Sequence, residues 1–120
     1  MNRFAPLAAE GFDVATALQQ LAGSEKLYVS VLVKFSTMYQ NLPEVIRADL
    51  EKGDLVKVRR DAHTIKGLAG TIGHGALREV AAQLEQSAAA GNAEECVPRL
   101  AAFQETFVRV ISALQQVVNE

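Results

Sequence analysis

With one cysteine in 120 residues, the chain cannot close an internal disulfide, and its apolar residues never gather into the run of eighteen or more that a bilayer span requires. Cys96 precedes Pro98 near an expected helix start and has no histidine close in sequence, so it reads as a buried or neutral thiol. The N-terminal stretch has one early arginine but too short an apolar segment for a secretory signal before Glu10 and Asp13 intervene. A soluble, cytoplasmic chain with no direct membrane contact is expected. The net charge of −2 lacks the basic excess of a phosphate-backbone binder, which argues against nucleic acid as principal partner.

Chemical signatures are missing as well. No Gly-x-x-x-x-Gly-Lys-Ser/Thr loop is present, which excludes a recognisable ATP site, and there is no His-Glu-x-x-His pair or other ligand cluster at metal spacing. His63 and His74 fall on opposite sides of an expected helix break, a poor start for a shared metal, and His74 reads as a polar residue near the next helix start. No serine or cysteine nucleophile sits in an elbow motif beside a histidine. Neither a metal nor a cofactor is expected to be bound by the chain itself.

What the sequence does contain is helix-forming. Ala, Leu, Glu, Gln and Val dominate, and no alternating strand pattern is bounded by hairpin turns. Residues 1–11 read as a tail or linker and residues 12–120 as one domain. A short helix is expected from Asp13, its N-cap, to Leu21; a second opens at Ser24 and runs to about Asn41 with Leu27, Val31, Phe35, Met38 and Leu42 as its apolar stripe. Pro43 starts a third that Gly53 ends, and Asp54 caps a fourth that stops near Gly73. The fifth spans roughly Gly75 to Ala90. Asn92 followed by Glu95 resembles a capping box for the last, whose inward residues are Leu100, Phe103, Phe107, Val110, Leu114 and Val117. The pattern predicts an all-α fold, an up-and-down four-helix bundle with one or two additional short helices.

The fourth helix carries the informative residues. At ~100° per residue, Arg59, Lys66, Gly67 and Gly70 fall within roughly 60° of His63, whereas Leu55, Val58, Ala62, Ile65, Ala69 and Ile72 form a separate core-facing seam. His63 is thereby placed on the solvent side with a cation one turn along. Gly67 costs about 0.5–1 kcal/mol relative to alanine inside a helix, so clearance beside the imidazole is its functional reading; helix packing and a helix stop are the plain reading of the glycines at 67, 70, 73 and 75, with access beside His63 the alternative at Gly67 and Gly70. A neutral imidazole can attack phosphorus to give a phosphoramidate, and a nearby ammonium suits the charge of the group it then carries. Taken alone, His63 reads as a surface histidine, and only the combined pattern of its neighbours changes that.

The stretch His63-Thr64-Ile65-Lys66-Gly67-Leu68-Ala69-Gly70-Thr71-Ile72-Gly73, with Leu77 and Leu84-Glu85, resembles the signature of histidine phosphotransfer (HPt) domains of bacterial multistep phosphorelays. Gly11-Phe12-Asp13, Leu27-Tyr28 and Gly53-Asp54 also fall where such domains have similar residues, extending the resemblance over roughly residues 11–90. The likeness is greatest to the C-terminal domain of a hybrid sensor histidine kinase, whose parent chain can be anchored in the inner membrane.

The resemblance implies that His63 accepts a phosphoryl group from a receiver-domain aspartate and passes it to another response regulator. It implies that Lys66 steadies the phosphoryl oxygens, that Gly67 lets the receiver approach, and that Glu85 orients the imidazole by hydrogen bond. A solvated helix carboxylate is the alternative for Glu85. Arg59, Arg60, Leu68 and Gly70 complete the expected partner surface, with solvated arginines and a packed leucine as the plain alternatives. The domain is thus expected to be a monomeric phosphocarrier rather than a kinase. Its partners would be response-regulator receiver domains, including one in the same parent chain if that chain is a hybrid kinase, and Mg²⁺ would reside on the receiver. Three rivals stand beside this reading: the phosphoacceptor module of a chemotaxis-type kinase, a non-phosphorylated helical interaction bundle, and a small metal or acid–base enzyme.

Overall fold

The structure, a computed structural model, describes residues 2–119, among which there are seven helices and no strand. They are α1 (Ala5–Ala9), α2 (Val14–Gln20), α3 (Glu25–Tyr39), α4 (Leu42–Glu51), α5 (Leu55–Ile72), α6 (Gly75–Ala89) and α7 (Ala93–Val118). The starts of most are dictated locally. Asp13, Ser24, Asp54, His74 and Asn92 each accept a hydrogen bond on the side chain from the backbone N–H three residues ahead, supplying a partner to a donor that a helix leaves unpaired. At α7 the capping box is only half formed as expected: the Glu95 carboxylate receives the Asn92 side-chain amide at 3.1 Å, while the Asn92 backbone N–H bonds to the Ser87 carbonyl.

Helices α4 to α7 follow one another through short turns and close a ring in which α4 also meets α7, giving the up-and-down bundle. The α5–α6 hairpin is its tightest pair. α3 lies across α5 and α7, and the rings of Phe35, Phe103 and Phe107 meet between α3 and α7 with centroids 5.7 and 5.4 Å apart. All six inward residues expected on α7 are buried.

Two expectations change. On α3 the buried stripe is Tyr28, Leu32 and Phe35, whereas Leu27 and Met38 are 54% and 67% exposed and Val31 is only partly covered; Leu42, expected on the same stripe, opens α4 and is partly covered there. Two apolar stripes share Phe35 on this helix, and spacing alone does not choose between them. Burial goes to the stripe whose phenol has a partner: the Tyr28 hydroxyl donates to the Ile72 carbonyl at 2.8 Å at the end of α5.

The second change concerns residues 1–11. The expected tail contains α1, and Phe4 and Leu7 are buried in the common core. Phe4 meets the Tyr28 ring edge-on at 5.4 Å. The Gly11-Phe12-Asp13 segment then seals one end of the α5–α6 hairpin. Phe12 lies edge-on to His74, and the Asp13 N–H donates to the Gly73 carbonyl at 2.8 Å. Gly73, at φ +87°, is required twice over, because a Cβ there would also stand 2.7 Å from the Asp13 oxygen.

Burial, followed by the Asp13 charge, pushes the Tyr28 phenol up to about 12 from 10.0. Since the folded-state value is the higher one, this contribution to stability is fully present below pH 10.0 and is lost as pH rises through about 12. Tyr28→Phe is expected to cost about 1 kcal/mol at neutral pH, by leaving the Ile72 carbonyl unpaired, and to remove this component of the alkaline loss. Urea midpoints at about pH 8 and about pH 11 check both effects.

Candidate functional site

α5 turns its small and apolar seam inward, with Val58, Ala62, Ile65, Ala69 and Ile72 buried, and this fixes what the opposite face presents. On that face Arg59, His63, Gly67 and Gly70 are exposed and Lys66 is partly covered. α6 lies against α5 with Leu77, Ala81 and Leu84 inward, which brings its next residue, Glu85, to the seam between the two helices.

There Glu85 joins two side chains. Its Oε2 stands 2.7 Å from His63 Nδ1, and its Oε1 stands 2.6 Å from Lys66 Nζ. Partial burial alone would raise the Glu85 pKa, yet the hydrogen bonds and charges of Lys66 and His63 hold the carboxyl below its ordinary value. An ionised carboxylate only accepts, so Nδ1 carries the proton and donates it toward Glu85. In the neutral ring Nε2 is then the atom with a free lone pair. The His63 side chain is 67% exposed, against 16% for Glu85, so a partly buried anchor holds an accessible ring.

A shallow concavity beside the imidazole is lined by Val56, Arg59, Arg60, His63 and Glu85. Neither arginine makes a side-chain hydrogen bond or ion pair among the described residues. Val56 was absent from the residues expected here. It is 70% exposed and stands seven residues before His63, close to two helical turns, a spacing that puts it on the same stripe and was legible in the sequence.

The remaining expected residues divide. A Cβ at Gly67 would meet nothing within 4 Å, so the fold itself does not require glycine there. At Gly70 the stem of Arg78 from α6 comes within 3.8 Å of that position, so this end of the surface is partly covered by a residue that was not expected there. Leu68 is not brought to the surface: it lies partly buried against the core, on a flank of α5 turned away from His63. Lys66, expected to face phosphoryl oxygens, is paired with Glu85 in the free protein.

His74 belongs to the fold. It is 2% exposed, its Nδ1 accepts from the Leu77 N–H at 3.0 Å, and Nε2 faces the Glu10 carbonyl at 3.2 Å. Cys96 is buried too, and desolvation together with the Glu95 charge pushes its thiol up, away from reactivity at neutral pH. Among the described residues no three His, Cys, Asp or Glu side chains are grouped to hold a metal ion, and no helix is long and apolar enough to cross a membrane.

Searches of curated proteins and of solved structures returned no match. A family model, that of the Hpt domain, matches residues 30–120. The match begins inside α3 rather than at residue 11 and continues through α7 rather than ending near residue 90. Both helices of the His63–Glu85 site lie within it, and it covers well over half of the sequence. The chain belongs to the Hpt domain family, whose members are histidine phosphocarrier modules of phosphorelays and not kinases.

Proposed function

We propose that this domain is a phosphorelay intermediate in which His63 accepts a phosphoryl group from the aspartyl phosphate of a receiver domain and passes it to another response regulator. The observation that carries this reading is the 2.7 Å contact between His63 Nδ1 and Glu85, which leaves Nε2 as the exposed nucleophile.

In the forward step the Nε2 lone pair forms a bond to phosphorus. The bond between phosphorus and the aspartyl oxygen breaks, and its electron pair leaves with the aspartate carboxylate. Nδ1 keeps its proton throughout, so the ring becomes a phosphorylated imidazolium, and the adjacent Glu85 carboxylate offsets the positive charge it gains. Transfer to the second regulator is the same exchange in reverse. Glu85 is therefore a positioning residue that fixes the tautomer and the ring, and Lys66 acts first by holding Glu85. Mg²⁺ would be held by the acidic site of the receiver and would there offset charge on the transferring phosphoryl group. Arg59 and Arg60 would meet the acidic rim of that site, Val56 would add an apolar contact, and Gly67 provides clearance.

A panel of receiver domains charged with acetyl phosphate tests the reading. Wild type should take up acid-labile, base-stable label from at least one of them, and His63→Gln from none. Labelling only by ATP with a separate kinase domain would instead identify a chemotaxis-type phosphoacceptor. Binding without label under either condition would identify an interaction-only bundle.

A further inference from the structure

In the free protein Lys66 is already engaged at 2.6 Å by a partly buried carboxylate, and the two charges offset each other. A phosphoryl group on Nε2 would bring about 1.5 to 2 further negative charges to the same few ångströms. The side chains lining the hollow beside His63 that carry charge and have no partner are Arg59 and Arg60, one turn back along α5. Their backbones are fixed in a helix whose opposite face is buried, so both guanidinium groups need only side-chain rotation to face Nε2.

We propose that Arg59 and Arg60 hold the phosphoryl group of phospho-His63 in the absence of any receiver, while Lys66 stays with Glu85. This rests on His63 being the phosphoacceptor and divides the labour of the cations in a way that the family resemblance does not. Planar guanidinium groups suit the task, because they present paired donors to phosphate oxygens and remain charged at any working pH. On the same view Lys66 is part of the anchor of the ring.

The proposal is separable from receiver docking if no receiver is present. The protein can be phosphorylated chemically with phosphoramidate, whose P–N bond breaks as the Nε2–P bond forms and ammonia leaves. The ³¹P signal, absent from a His63→Gln control, is then titrated with pH. Two nearby guanidinium groups favour the dianion, so Arg59→Gln/Arg60→Gln should raise the pKa of the phosphoryl group by about 0.5–1, and Arg59→Lys/Arg60→Lys should restore part of the difference. Lys66→Gln should move it less than the double arginine variant does.

Superimposable titrations of wild type and the double glutamine variant would overturn the proposal, as would a larger effect of Lys66→Gln. If those titrations coincide while the double variant still slows transfer from a charged receiver, the arginines serve docking alone. Failure of the carrier reading would show elsewhere, as absence of label from every receiver.

Discussion

Glu85→Ala is expected to slow phosphoryl transfer to and from His63 by about 10²–10³-fold while leaving the fold in place. The magnitude follows from what the carboxylate does in two states. Before reaction it accepts from Nδ1 at 2.7 Å, so that in the neutral ring the free lone pair is on Nε2, directed outward from an otherwise exposed ring. After reaction it stands beside the imidazolium and offsets the charge the ring has gained. Alanine removes both contributions, and it also releases Lys66 from its 2.6 Å pairing. Stability should change little, because the His63 and Lys66 pairings lie at the surface seam and the Leu77, Ala81 and Leu84 face of α6 is untouched.

Glu85→Gln is the sharper comparison. The amide oxygen can still accept from Nδ1, so ring orientation survives while the charge does not, and a loss intermediate between wild type and alanine is expected. Rapid-quench transfer from a labelled receiver, paired with urea unfolding of each variant, measures the two effects separately. The pH sign is fixed as well. The folded-state pKa of Glu85 lies below its unfolded value, so its stabilising contribution is present above the unfolded value and is lost only as pH falls through the folded one.

Substitution at Gly67 should move stability and function in opposite directions. A methyl group at this exposed helical position meets nothing within 4 Å and replaces the most flexible residue, so Gly67→Ala is expected to stabilise the domain by about 0.5–1 kcal/mol. Receiver docking needs an approach close enough for in-line attack by Nε2, one helical turn away on the same face. Gly67→Ala should therefore reduce transfer modestly, and Gly67→Leu by more than about 10²-fold without unfolding the protein. Thermal melts and the transfer assay on both variants distinguish this from a glycine kept for folding, which would show destabilisation together with lost activity. Gly73 supplies the contrast, since its positive φ and the nearby Asp13 oxygen make it a folding residue.

How much of this is legible in the sequence follows from the range of each interaction. Caps act over three residues, so Asp13, Ser24, Asp54 and Asn92 announce their helices. The seam of α5 and the inward residues of α7 repeat often enough to fix one face. On α3 the same logic fails, because two stripes share Phe35 and the choice rests on a hydrogen bond to Ile72, 44 residues away. Phe4 and Leu7 are too few to show a period, and only the surface they meet, including Tyr28, reveals that they are core. At the site, the wheel put His63, Lys66 and Gly67 on one face of α5, but the rotation of α6 against that helix is a tertiary quantity. It makes Glu85 a shared partner of His63 and Lys66 instead of leaving the lysine free.

The most direct test of the account is to locate the phosphoryl group on the ring. Nitrogen-15-labelled protein, phosphorylated by a charged receiver and examined by ¹⁵N–³¹P correlated NMR, should show phosphorus coupled to Nε2 of His63, with Nδ1 still protonated. Coupling to Nδ1, or a phosphoryl group on any other residue, would contradict it.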